Sequence, residues 1–84
     1  MALQEVVMMS RRKPMNGDDG IVARNLKRLR RKRRMSHARL GKLVGLSGEQ
    51  IRHYENERNP IAAGTLRKMA KALDVEEREF FEER

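Results

Sequence analysis

The sequence has no cysteine, which excludes disulfides and thiolate metal ligands. It also lacks a long apolar run. The stretch from Met1 to Met9 is mildly apolar, but it is short, carries Gln4 and Glu5, and lacks the basic start and apolar centre of a secretory signal. No membrane partner is expected, and a reducing cytoplasm is the expected compartment. No stretch alternates apolar and polar residues as a half-buried strand would, and there is no internal repeat or low-complexity tract. Catalysis has nothing to build on: two histidines, no cysteine, and no paired acid and base. No cofactor is expected. The acidic residues Glu76, Glu77, Glu79, Glu82 and Glu83 read as a solvated face rather than a metal site.

Charge is what the chain has in abundance. Twenty Lys/Arg against twelve Asp/Glu give a formal net charge of +8 over 84 residues. Such a balance suits nucleic acid or another polyanion. The charge is also unevenly placed. From Arg11 to Arg34 there are eleven basic and two acidic residues, whereas from Asp74 to Arg84 there are six acidic and two basic. One end of the molecule can face phosphates while the other faces away. The length allows one compact domain, small enough that dimerisation or tight helix packing would supplement a modest core.

The apolar spacing predicts helices throughout. Residues 1–20 read as a flexible basic arm, with Pro14, Asn16, Gly17 and Gly20 as breakers. The domain proper is expected over 21–84. A first helix is expected from near Gly20 to about Arg33, with Ile21, Val22, Leu26 and Leu29 as its apolar stripe and Met35 closing it against the core. Ser36 is an N-cap for a second helix carrying Leu40, Leu43 and Val44, and Gly45 suits its exit. Ser47-Gly48-Glu49-Gln50 reads as a capping box, Ser47 capping forward and Gln50 reaching back, for a third helix with Ile51 and Tyr54 inward and Asn59-Pro60 marking its end. A fourth helix is expected from about Ala62 to Leu73 on the stripe Leu66, Met69, Ala70, Leu73. Asp74-Val75-Glu76-Glu77 reads as a second capping box, opening a short fifth helix with Phe80 and Phe81.

The stretch from His37 to Asn56 is the most specific. Two helices joined only by Gly45-Leu46-Ser47 must cross steeply, over a small core of Leu40, Val44, Leu46, Ile51 and Tyr54. Gly41 stands where the third helix must approach the second closely. The phrases Leu29-Arg30, Met35-Ser36-His37, Leu40-Gly41, Val44-Gly45-Leu46-Ser47, Ile51, Tyr54-Glu55-Asn56 and Leu66-Arg67-Lys68-Met69-Ala70-Lys71-Ala72-Leu73 resemble the Cro/C1-type helix-turn-helix (XRE) family of small regulators. The resemblance covers about Ile21 to Phe81. It implies an all-α, five-helix, lambda-repressor-like bundle with helices 2 and 3 as the helix-turn-helix and helix 3 in the major groove. Three positions depart from the family pattern: His37 stands where Gln is usual, and Arg34 and Glu57 where Gly is usual.

By position, the resemblance marks Gly48, Glu49, Arg52 and His53 as base-reading residues. Arg52 could grip guanine O6/N7 and Glu49 could accept from cytosine N4, whereas Gly48 only permits close approach. It marks His37, Ser47 and Asn56 as phosphate clamps, with Ser36 and Ser47 equally explained as caps. Gln50, Arg58, Arg31 and Arg34 complete the expected DNA-binding set. Arg30 and Glu55 are implied to form a partly buried ion pair rather than a DNA contact. The first expectation is a sequence-specific DNA-binding transcriptional regulator, a repressor that binds double-stranded DNA at a palindromic operator as a homodimer and is nucleoid-associated when bound. Two alternatives stay open: an antitoxin that binds a toxin protein and regulates its own operon, and a non-specific nucleic-acid-binding bridging factor.

Overall fold

The computed structural model describes residues 18–83. The expected basic arm lies outside the described residues up to position 17. The described residues form four α-helices and one short 3-10 helix: α1 (Asp18–Lys32), α2 (His37–Val44), α3 (Gly48–Glu55), α4 (Ala63–Leu73) and the 3-10 helix Glu77–Phe81. Two boundaries differ from expectation. Helical backbone begins at Asp18, ahead of Gly20, and the fifth element is a 3-10 helix rather than an α-helix. Five residues give little more than one turn, where i to i+3 bonding suffices. None of the helices is long and apolar enough to cross a membrane, among the described residues.

Each α-helix stops in the same way. Arg34, Gly45, Glu57 and Asp74, the residues that follow α1 to α4, all have positive φ. At all four ends the next residue's N–H reaches back over the turn: Met35 to the Arg30 carbonyl at 3.1 Å, Leu46 to that of Gly41 at 2.7 Å, Arg58 to that of His53 at 3.0 Å, and Val75 to that of Ala70 at 2.9 Å. This satisfies carbonyls that a helix end would otherwise leave unpaired. The starts are capped where the sequence predicts: Ser36 Oγ accepts from the Arg39 N–H and Ser47 Oγ from the Gln50 N–H, both at 3.0 Å. The Gln50 side chain does not make the expected return bond, so Ser47 caps α3 alone. The second capping box shifts by two residues. Asp74 is taken up by the left-handed exit from α4, so Glu76 becomes the cap and its N–H donates to Glu79 at 3.2 Å.

The core is a single cluster. Leu26 and Leu29 of α1, Leu40 of α2, Ile51 of α3, Met69 and Leu73 of α4 and Phe80 of the 3-10 helix are all sealed from solvent. Burying each such side chain contributes about 1.5–3 kcal/mol. Leu43 is an exception to the expected α2 stripe. It is 46% exposed, because α2 turns its Gly41 side, not its Leu43 side, toward α3. A Cβ on Gly41 would lie 2.6 Å from the Leu46 carbonyl oxygen and 2.9 Å from that of Ser47. The glycine therefore permits the tight crossing that aims α3 outward.

The chain end is held by polar contacts. Asn25 of α1 is buried, and its amide donates to the Phe80 carbonyl at 2.8 Å and the Glu82 carbonyl at 2.7 Å. Arg28 in turn donates to the Asn25 side-chain oxygen at 3.2 and 3.3 Å. Arg33 donates to the Asp74 carbonyl at 3.2 Å, joining the end of α1 to the end of α4.

Candidate nucleic-acid interface

α3 is an eight-residue helix with two unlike sides. Ile51 and Tyr54 are buried against the core. Glu49, Arg52, His53, Asn56 and Arg58 line one shallow polar recess on the opposite, outward side. The Glu49 carboxylate organises it. Arg52 Nη2 donates to Glu49 Oε1, and His53 Nε2 lies 3.2 Å from Glu49 Oε2. The Arg52 hydrogen bond, and next its charge, hold the Glu49 carboxyl below the usual glutamate range against the opposing effect of desolvation; His53 adds a lesser lowering.

Behind that face sits a buried electrostatic joint. Arg30 of α1 forms a bidentate pair with Glu55 of α3, Nε to Oε2 at 2.6 Å and Nη2 to Oε1 at 3.1 Å. The third nitrogen, Nη1, donates to the Met35 carbonyl at 2.7 Å. The carboxylate side chain is only 3% exposed. The ion pair implied by the resemblance is present, and it fixes α3 against α1. His37 joins the same carboxylate, with Nε2 3.0 Å from Glu55 Oε1. The ring expected to clamp phosphate thus ties the first turn of α2 to the last turn of α3, while still one third exposed.

The remaining expected site residues separate. Ser47 is the N-cap of α3, and Gln50 sits half-buried in its first turn. Gly48 serves packing: a Cβ there would lie 2.9 Å from the Ala38 nitrogen, so the glycine lets α3 start against α2. Asn56 ends α3, its N–H bonded to the carbonyls of Arg52 and His53. Arg34 is exposed in the left-handed turn after α1. Arg31 belongs to another face. It lines a groove on α1 with Arg24, Lys27 and Arg28. Those three companions escaped the sequence reading, although their i, i+3, i+4, i+7 spacing is a helical stripe of cations. Asn25 was missed too, and a lone polar residue within the apolar stripe of α1 was its signal.

The family is settled by the match of a helix-turn-helix family model over residues 26–80, from the middle of α1 through the 3-10 helix. The chain belongs to the Cro/C1-type helix-turn-helix family of transcriptional regulators. Two curated relatives from Sinorhizobium fredii (strain NBRC 101917 / NGR234) are both named uncharacterized HTH-type transcriptional regulators. The first, y4wC, is 38% identical over 74 residues, covering 88% of this chain and 51% of the relative. The second, y4aM, is 36% identical over 73 residues, covering 87% of this chain and 51% of the relative. The chain thus spans about half the length of the curated relatives it matches. No solved structure matches it. In this helix-turn-helix protein α2 and α3 are the two helices of the motif, and Gly45-Leu46-Ser47 is the turn.

Proposed function

We propose that this chain is a sequence-specific DNA-binding transcriptional regulator that reads the major groove with the outward face of α3. The observation that carries the reading is the polar recess of Glu49, Arg52, His53, Asn56 and Arg58, on a helix whose other face is locked into the core. A guanidinium and an imidazole on a rigid helix are groups that read base edges. The N-terminal turns of α2 and α3 add free backbone N–H groups, which attract phosphate. Ser47 and His37 stand at those turns, with Arg31, Arg34 and Arg58 supplying further positive charge.

Two copies would present two α3 helices to successive major grooves, about 34–36 Å apart, and so favour a palindromic operator. The half-exposed Phe81, beside an apolar recess lined by Val22, Tyr54, Ile61 and Leu66, is the surface a homodimer would cover. Repression by occupying a promoter is the outcome that follows from binding alone. A second reading draws support from the basic stripe on α1: sequence-independent nucleic-acid binding as a bridging factor.

In vitro selection of random duplexes by the purified protein separates the two. Enrichment of a two-fold symmetric sequence with half-sites about one helical turn apart is the expected result. A bound pool without an enriched sequence, held by a steeply salt-dependent interaction, would overturn the specific reading in favour of the second.

A further inference from the structure

The geometry points to Glu49 as a gate on base selection: its carboxylate holds Arg52 and His53 in the free protein and yields Arg52 to a G·C pair, whose cytosine amino group takes its place. The inference rests on the α3 reading proposed above and assigns a specificity-determining role to a residue of that same face.

Glu49, Arg52 and His53 fall at i, i+3 and i+4, so one carboxylate can reach both partners on a single helix face. It does so with one oxygen each: Oε1 toward Arg52 and Oε2 toward His53. All three side chains are exposed enough to be re-paired by a ligand, at 59%, 52% and 35%. Among the described residues, no ion pair from another element holds these three side chains. The second carboxylate of α3, Glu55, is sealed between Arg30 and His37 and cannot take this part.

The charge arithmetic then makes the cluster discriminate. With His53 neutral, Glu49 and Arg52 cancel, so the cluster offers no net attraction to a featureless phosphate backbone. Phosphates present only acceptors, and pulling Arg52 onto them leaves the carboxylate facing like charge. A G·C pair offers both halves of an exchange. Guanine O6 and N7 accept the Arg52 fork, and the cytosine N4 amino group donates to the carboxylate. An A·T pair has no such adjacent pair of acceptors for the guanidinium. The carboxylate therefore lowers affinity for wrong sequences more than it lowers affinity for the right one, which is how specificity arises from a difference.

The test compares the wild type, Glu49→Gln and Glu83→Gln, the last removing one exposed carboxylate far from α3 in sequence. Each protein, checked by circular dichroism for unchanged helix content, is titrated with the duplex that the wild type enriches and with a scrambled duplex over a salt series. The gate predicts that Glu49→Gln binds the scrambled duplex roughly tenfold tighter and narrows the preference for the enriched one by a similar factor. Its salt dependence on scrambled DNA steepens by about 0.9 in log–log slope, as Arg52 is freed to one phosphate. Repeated selection with Glu49→Gln shows a weakened G·C preference at one position per half-site, whereas Glu83→Gln keeps it in full. Unchanged preference and unchanged scrambled-duplex affinity in Glu49→Gln, with the wild type still enriching a sequence, would overturn the gate alone. A wild type that enriches no sequence would overturn the gate together with the reading beneath it.

Discussion

Left-handed backbone at a non-glycine residue costs about 1–2 kcal/mol, and this small chain carries it at Arg34 (φ 57°), Glu57 (φ 61°) and Asp74 (φ 58°). The conformation persists because each of these residues closes a helix end whose carbonyls need the returning N–H groups. Arg34→Gly and Glu57→Gly are expected to raise stability by about 0.5–1 kcal/mol each in urea unfolding, since glycine removes the strain but adds disorder to the unfolded chain. The sequence showed that Arg34 and Glu57 replace family glycines. It did not show that the backbone keeps the glycine conformation at both, because the reason lies in bonds to the preceding turn. Glu49 is legible only by halves for the same kind of reason. Its position on α3 followed from spacing, but its pairing with Arg52 and His53 at once depends on side-chain rotamers that spacing does not specify. In an NMR titration its carboxyl is expected to change charge below the ordinary glutamate range, and Arg52→Gln should move the midpoint back up. The sign follows from the depressed value: whatever this cluster contributes to stability is present at neutral pH and is lost as pH falls through the folded-state midpoint.

Among the elements, α3 is positioned by two constraints of different kind. The first is steric. Gly41→Ala would drive a methyl into the Leu46 and Ser47 carbonyls, neither of which can swing aside. A loss of about 1–3 kcal/mol is expected in thermal or urea melts. The second is electrostatic. Removing either Arg30 or Glu55 strands a desolvated charge at the joint between α1 and α3. The apolar residues Leu26, Leu29, Leu40, Val44, Ile51, Leu66, Met69 and Leu73 were readable as core because period and size agree. Leu43 misled, because apolar spacing around α2 is symmetric between two faces and only the close approach at Gly41 selects one. Asn25 was readable as a polar residue in an apolar stripe, but its role was not: its partners are backbone carbonyls about 55 residues away, and backbone leaves no mark in sequence. Asn25→Leu is expected to leave those carbonyls unsatisfied at a cost of about 1–3 kcal/mol. Hydrogen exchange should then show the 3-10 helix opening ahead of α1 to α3; uniform protection would mean that Phe80 alone holds the chain end.

At the scale of the whole molecule, charge is unevenly distributed. Cations line the outer face of α1, the recess on α3 sets Arg52, His53 and Arg58 around the single carboxylate of Glu49, and the sequence from Asp74 onward is predominantly acidic. This asymmetry orients the molecule toward a polyanion before any base is read, and it makes association depend on salt. The two basic surfaces should separate by experiment. Arg31→Gln is expected to lower the log–log salt slope by about 0.9 without altering the preferred sequence, as loss of one phosphate contact does. Arg52→Ala is expected to relax the preferred sequence itself. The most direct test of the central claim, that α3 meets DNA with its outward face, is a map of backbone amide shifts as the labelled protein is titrated with its selected duplex. The account predicts the largest changes from His37 to Arg39 and from Ser47 to His53, with the 3-10 helix unmoved. Shifts confined to the face of Arg24, Lys27, Arg28 and Arg31, with α3 silent, would contradict it.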